Sequence, residues 1–181
     1  MALSQQISGA SGRVMMGRVI PSQLLKGIQR HLERNAPERA DEMIESIRGR
    51  TDELAAADAS IATDGPAKGM LVMSSVVLAS YEALLPEFDG DERRTILFLQ
   101  QVFGEILKRS TEVAAAAVTR GTDPLGAIEK ALSAWLPMYG ESFEYEIDRL
   151  EPGAIEMRIS RCFFRDFFAR HDSLPVTTVL C

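Results

Sequence analysis

Phe143-Glu-Tyr-Glu-Ile-Asp-Arg-Leu-Glu-Pro-Gly-Ala-Ile-Glu-Met-Arg-Ile-Ser-Arg161 is the stretch that separates this chain from an all-helical protein. Phe143, Tyr145 and Ile147 alternate with Glu144, Glu146 and Asp148, and Ile155, Met157 and Ile159 alternate with Glu156, Arg158 and Ser160. A period of two is the pattern of a half-buried strand. Leu150-Glu-Pro-Gly153 lies between the two runs, so the pair reads as a β-hairpin over 143–161. A slip of one residue would turn every apolar side chain outward, which demands a loop of odd length. Two registers satisfy that demand. Phe143 opposite Ile159 sets Glu144 against Arg158 but Glu146 against Glu156, whereas a slide of two sets Glu146 against Arg158 but Asp148 against Glu156. Charge alone does not choose between them. Because an isolated hairpin is marginal in water, it must lie on helices or join further strands. Val176-Thr-Thr-Val-Leu180 reads as a short third strand or, equally, as the start of a helix.

Upstream, the apolar period is helical. Gly9, Gly12 and Gly17 interrupt residues 1–19, which read as a flexible lead to one domain over 20–181. Ile20-Pro21-Ser22 opens a helix, since proline suits the first turn, and Leu24, Ile28 and Leu32 form its apolar face. Asn35-Ala-Pro37 breaks it, and a second helix carries Ala40, Met43, Ile44 and Ile47 inward. Thr63-Asp-Gly-Pro66 is a turn before Met70, Met73, Val77, Tyr81 and Leu84, and Pro86 ends that run. Asp89-Gly-Asp91 caps the longest helix, with Leu97, Leu99, Val102, Phe103, Ile106 and Leu107. Asp123-Pro124 starts another, with Leu125, Ile128, Leu132 and Trp135 on one side and Pro137 closing it. The helices thus fill 20–137, a hairpin follows, and an aromatic helix spans 163–171. The fold class is α+β, mostly helical, with a small antiparallel sheet near the C-terminus.

At 181 residues, 46% hydrophobic and 25% charged, the chain has the size of one domain with its own core. A net charge of -6 and a pI near 5.0 have the wrong sign for a phosphate-backbone binder, and 7% aromatic content argues against a base-stacking surface. Nucleic acid is therefore not an expected partner. Two cysteines and no secretory h-region point to a reducing, cytoplasmic setting. Gly69 to Leu85 is apolar enough to raise a membrane span, but it holds Ser74, Ser75, Ser80, Tyr81 and Glu82, so a buried core helix explains it better.

The chemistry-bearing residues gather at the C-terminal end. Cys162 follows Arg161 at the strand-to-helix junction, where a helix N-terminus and nearby cations favour a thiolate. Arg158, Arg161 and Arg165 can lie close to it, and Asp166 follows four residues on. A thiolate would attack an electrophilic carbon while Asp166 or His171 handles the proton. His171 also suits the C-terminal cap of the aromatic helix, where a cation is favoured. Cys162, His171 and Cys181 do not have the spacing of a zinc set and lack a fourth ligand, so no metal is expected. Phe163, Phe164, Phe167 and Phe168 form one apolar stripe, the pattern of core. No glycine-rich phosphate loop, Gly-x-Ser-x-Gly elbow or His-Glu-x-x-His is present, so no cofactor is implied.

Ile155-Glu-Met-Arg-Ile-Ser-Arg-Cys162-Phe-Phe-Arg-Asp-Phe-Phe, then Leu174-Pro and Cys181, resembles the L-2-amino-thiazoline-4-carboxylic acid hydrolase family. Its members carry a strand ending in an Arg-Cys or similar pair, an aromatic helix and a second cysteine beyond it. Met70 to Leu85, with Tyr81 and Leu84, is similar to the family's central helix, so the resemblance covers residues 70–181. It implies hydrolytic opening of a cyclic amidine, with Cys162 and Cys181 as the matched residues. The family pattern continues past its second cysteine with an acidic residue, a helix and a strand. This chain stops at Cys181, so the expectation is a shortened relative or a partner that supplies the remaining surface.

The leading expectation is a small hydrolase of a non-peptide C–N bond. Cys162, Asp166 and His171 would be catalytic, and Arg158, Arg161 and Cys181 would hold a small-molecule substrate. Five arginines between 149 and 170 suit an anionic ligand, although pairing with Glu144, Glu146 and Glu156 accounts for them equally. One alternative is a non-catalytic sensory domain that binds a hydrophobic small molecule, such as a tetrapyrrole, between the long helices. The other is an interaction protein whose open sheet edge takes a partner, such as a second copy of the chain.

Overall fold

The computed structural model describes residues 13–119, 125–126, 128–129, 132, 136–150 and 154–180, and the chain is already helical at Arg13. Within the segment expected as a lead, residues 13–19 are helical and Met16 is buried. Pro21 explains the form of that segment. Lacking an N–H, it cannot bond the carbonyl four residues back, and its ring crowds that carbonyl. The backbone widens into a π turn over Met15–Val19, closed by the Ile20 N–H on the Met15 carbonyl, before α1 (Ile20–Asn35) begins. Leu24, Ile28 and Leu32 are its buried stripe, and Pro37 follows its end.

α2 (Ala40–Ala57) buries Met43, Ile44, Ile47, Thr51 and Leu54 and runs through Gly49 without interruption. α3 (Gly65–Leu84) is the centre of the molecule. Asp64 caps it by accepting the Ala67 N–H at 2.6 Å, and Pro66 occupies its first turn. It is buried on every side, as a helix that is apolar all round must be, and α1, α2 and the helices described below all pack on it. Among the described residues it is the one helix long and apolar enough to cross a membrane. Its apolar window is 78% buried inside the fold, as in a core helix.

Asp89 and Gly90 take left-handed backbone angles, and the Asp91 carboxylate accepts the Arg94 N–H at 2.9 Å, which starts α4 (Glu92–Thr119). Leu99 and Val102 of α4 face the core, whereas Leu97 faces solvent, contrary to its place in the expected apolar set. Leu125, Gly126, Ile128, Glu129 and Leu132 are helical, as expected of the segment after Pro124; Trp135 lies outside the described residues. A 3₁₀ segment, Leu136–Ser142, then returns the chain to the N-terminus of α3. Gly140 sits there at φ 65°, where a Cβ would lie 2.4 Å from the Asp64 carboxylate and 3.0 Å from Pro66.

β1 (Phe143–Leu150) and β2 (Ala154–Cys162) form a two-stranded antiparallel sheet, and α5 (Phe163–Arg170) follows directly. Val176 to Leu180 is not a third strand. Leu174–Val179 is a 3₁₀ helix that buries Val176 and Val179, three apart on one side, with Gln100 of α4 donating to the Thr178 carbonyl at 2.9 Å. Pro175 in its first turn supplies the bend that β-branched composition would not suggest. The architecture is α+β, a helical body with a small ribbon near its C-terminal end.

Candidate functional site

The observed register places Tyr145 opposite Ile159, Glu146 opposite Arg158, Ile147 opposite Met157 and Asp148 opposite Glu156. This is the second of the two registers that the alternation allows. Arg158 stands 3.6 Å from Glu146 and 3.4 Å from Glu156, so one guanidinium serves both strands and offsets the Asp148–Glu156 repulsion. Beyond Ile159 the pairing shifts, because Ser160 is an extra residue and Arg161 lies opposite Glu144 at 3.5 Å.

That bulge decides where Cys162 points. Along an unbroken β2, Cys162 would share the polar face with Glu156, Arg158 and Ser160. The added residue reverses the alternation, so Arg161 takes the polar side and Cys162 pairs with Phe143. There the thiol is half-buried against the edge of the core. Its backbone, φ -136° and ψ 114°, is extended, and it is the N-cap of α5 without a side-chain capping bond. α5 itself is set by its four phenylalanines, all buried, which leaves Arg165, Asp166, Ala169 and Arg170 on the outer side.

The other end of α5 is electrostatically tighter. Asp58, the C-cap of α2, has its side chain only 6% exposed; its Oδ1 accepts from Arg170 Nε at 3.1 Å. Its Oδ2 lies 2.6 Å from His171 Nε2, and because a carboxylate only accepts, that contact places a proton on Nε2. The imidazole also packs against the Phe167 ring at 4.8 Å. Two helix C-termini and a carboxylate converge here, and each favours a cation. Arg170 supplies it, and the His171 N–H donates to the same carboxylate.

The expected site residues therefore fall into two groups. Cys162, Arg158, Arg161 and Asp166 belong to the ribbon and the first turn of α5. His171 caps the far end of the helix, about 12 Å along the axis for eight residues at 1.5 Å each, and is held by Asp58. Cys181 lies outside the described residues. Arg158 and Arg161 have side chains 62% and 55% exposed and meet glutamates of the ribbon. Asp58 is the residue that reading the sequence misses, being 112 positions from Arg170. One local signal for it exists: an aspartate at a helix C-terminus opposes the dipole and so implies a tertiary partner. Comparison with family models, with curated proteins and with solved structures finds no match.

Proposed function

We propose that the chain is a small cytoplasmic hydrolase of a non-peptide C–N bond, acting on a cyclic amidine-type acid similar to 2-amino-thiazoline-carboxylate. The observation that carries this reading is the identity of the N-cap of α5. Serine, threonine, aspartate or asparagine would stabilise that position by capping, yet a cysteine occupies it and makes no capping bond. A sulfur retained where an oxygen would serve the fold better supports a chemical role, and the helix N-terminus favours the thiolate.

In this reading the Cys162 thiol gives its proton to Asp166 and its sulfur adds to the amidine carbon. The tetrahedral adduct collapses by breaking the C–N bond, with the proton returned to the departing nitrogen. Water then displaces the sulfur and regenerates the thiol. Arg161 or Arg158 holds the substrate carboxylate. Exchange from their glutamates is inexpensive, because exposed pairs contribute under about 1 kcal/mol each. His171 takes no part in these steps, since the helix separates it from the sulfur.

The test is the rate of Cys162 alkylation against pH, read by peptide mapping, with and without 2-amino-thiazoline-4-carboxylate. Reaction at a lower pH than a small-molecule thiol, and protection by the acid, support the proposal. An ordinary thiol profile without protection, or turnover retained in Cys162→Ser, overturns it.

A second reading rests on a separate observation. Met157 and Ile159 are 40% and 43% exposed on the apolar side of a sheet with no third strand among the described residues. Such a ribbon suits an interaction protein. A concentration-dependent dimer without thiol reactivity would favour it.

A further inference from the structure

A groove of about 250 Å³ runs between α1 and α4, away from the ribbon and α5, with Gly27, Arg30, His31, Arg34, Phe98 and Glu105 among its walls. Gly27 lets the two helices approach closely: a Cβ there would lie 2.4 Å from Val102 Cγ1. One wall is aromatic. The His31 ring lies 4.3 Å from Phe98, Phe98 lies 5.5 Å from Phe88, and the Arg94 guanidinium covers Phe88 at 5.2 Å. The rim is basic, with Arg30 and Arg34 four residues apart on α1 and hence on neighbouring turns of one face.

A smaller groove provides the contrast. Its Arg39 is bound by Glu87 at 2.7 Å, and Glu42 lines it too, so its charge is answered within the protein. In the larger groove, no ion pair engages Arg30 or Arg34 among the described residues, and Glu105 is the single acid on its walls. Two guanidiniums beside a flat aromatic wall match one kind of ligand. Planar forks grip a carboxylate, and the rings stack on a ring. The volume is below that of typical drug-sized pockets and suits a single-ring compound.

We propose that this groove binds a small flat carboxylic acid, its carboxylate between Arg30 and Arg34 and its ring against His31 and Phe98. The site does not depend on the reading of Cys162. His31 reports on it directly. Burial and the Arg34 guanidinium lower its pKa. The charged and polar groups facing it are Arg30, Arg34 and Asn35 on α1 and Gln101 and Glu105 on α4, with Arg94 beyond Phe88. An added carboxylate favours the imidazolium, so the His31 titration moves upward on binding.

The experiment is an NMR titration of the full chain with benzoate, with acetate and inorganic phosphate as separate arms, read at the His31 imidazole and the Phe98 ring. The expected result is a saturable shift with benzoate, an upward move of the His31 titration, and affinity weaker by about ten-fold in Arg34→Gln and in Arg30→Gln. Both substituted side chains are exposed, so the fold is retained, and Cys162 alkylation stays unchanged. A shift that does not saturate, an equal response to acetate or phosphate, or unaltered affinity in both variants overturns the proposal.

Discussion

The two ends of α5 are built on opposite principles. At its C-terminal end a buried aspartate from a distant helix grips an arginine and an imidazole over a floor of Phe167 and Phe168. At its N-terminal end a half-buried cysteine meets a ribbon whose arginines and glutamates pair in water. Attraction between charges rises steeply as water is excluded. The first end therefore holds the helix in place, while the second can change partners at little cost to the fold. Eight residues thus join a fixed anchor to an adaptable surface, and substitutions at the two ends should separate stability from reactivity.

The largest effect is expected from the aromatic floor. Phe168→Ala removes a ring with no exposure and should destabilise the protein by about 3–5 kcal/mol, measured by urea unfolding. A loss below about 1 kcal/mol, the range of surface changes, would show that the anchored end is not anchored. Asp58→Ala comes next. A buried charge lost from its partners typically costs about 3–5 kcal/mol, but Arg170 is half in water and can be rehydrated, so about 2–3 kcal/mol is expected. Arg170→Ala should cost clearly less than Asp58→Ala, because it leaves His171 on the carboxylate. Equal losses would mean that the imidazole contributes nothing.

Very different fractions of these two ends can be read from the sequence. Helical spacing marks the four phenylalanines as core, and the change of period at Phe143 marks the ribbon, because both signals are local. The caps at Asp64 and Asp91 are local as well. The register is not. It depends on the bulge at Ser160, which lets Glu144 meet Arg161 while Arg158 serves Glu146 and Glu156. No count of charges along a regular ladder contains that extra residue. The Asp58 contact is hidden for another reason: its partners are more than a hundred positions away. The Val176–Leu180 segment misleads because strand propensity mostly reflects packing on a pleated surface, and Pro175 with Val176 and Val179 makes a 3₁₀ turn instead.

At the adaptable end the sign of the expected change reverses. Cys162→Ser supplies the capping oxygen that α5 lacks, so stability should hold or rise by up to about 1 kcal/mol, while alkylation at that site disappears. A loss of more than about 1 kcal/mol would instead show that the sulfur's packing outweighs the cap. The residue would then belong with the anchor, and the chemical reading of its N-cap position would lose its support.

The smallest effect distinguishes a working arginine from a structural one. Arg161 meets Glu144 at 3.5 Å with both side chains more than half exposed, so Arg161→Gln should change stability by less than about 0.5 kcal/mol. Salt should erase even that, because the Debye length falls from about 10 Å at 0.1 M to about 3 Å at 1 M. Protection of Cys162 by a cyclic amidine acid is a different quantity. If Arg161 holds the substrate carboxylate, the substitution weakens protection by about ten-fold or more, the worth of a charge-assisted bond, while the unfolding curve does not move. Arg158→Gln is the control within the same ribbon, since Arg158 lies between two carboxylates and farther along the strand from the sulfur. Equal weakening by both variants would assign the effect to the general field of the ribbon, whereas a loss confined to Arg161 would place the carboxylate beside the thiol.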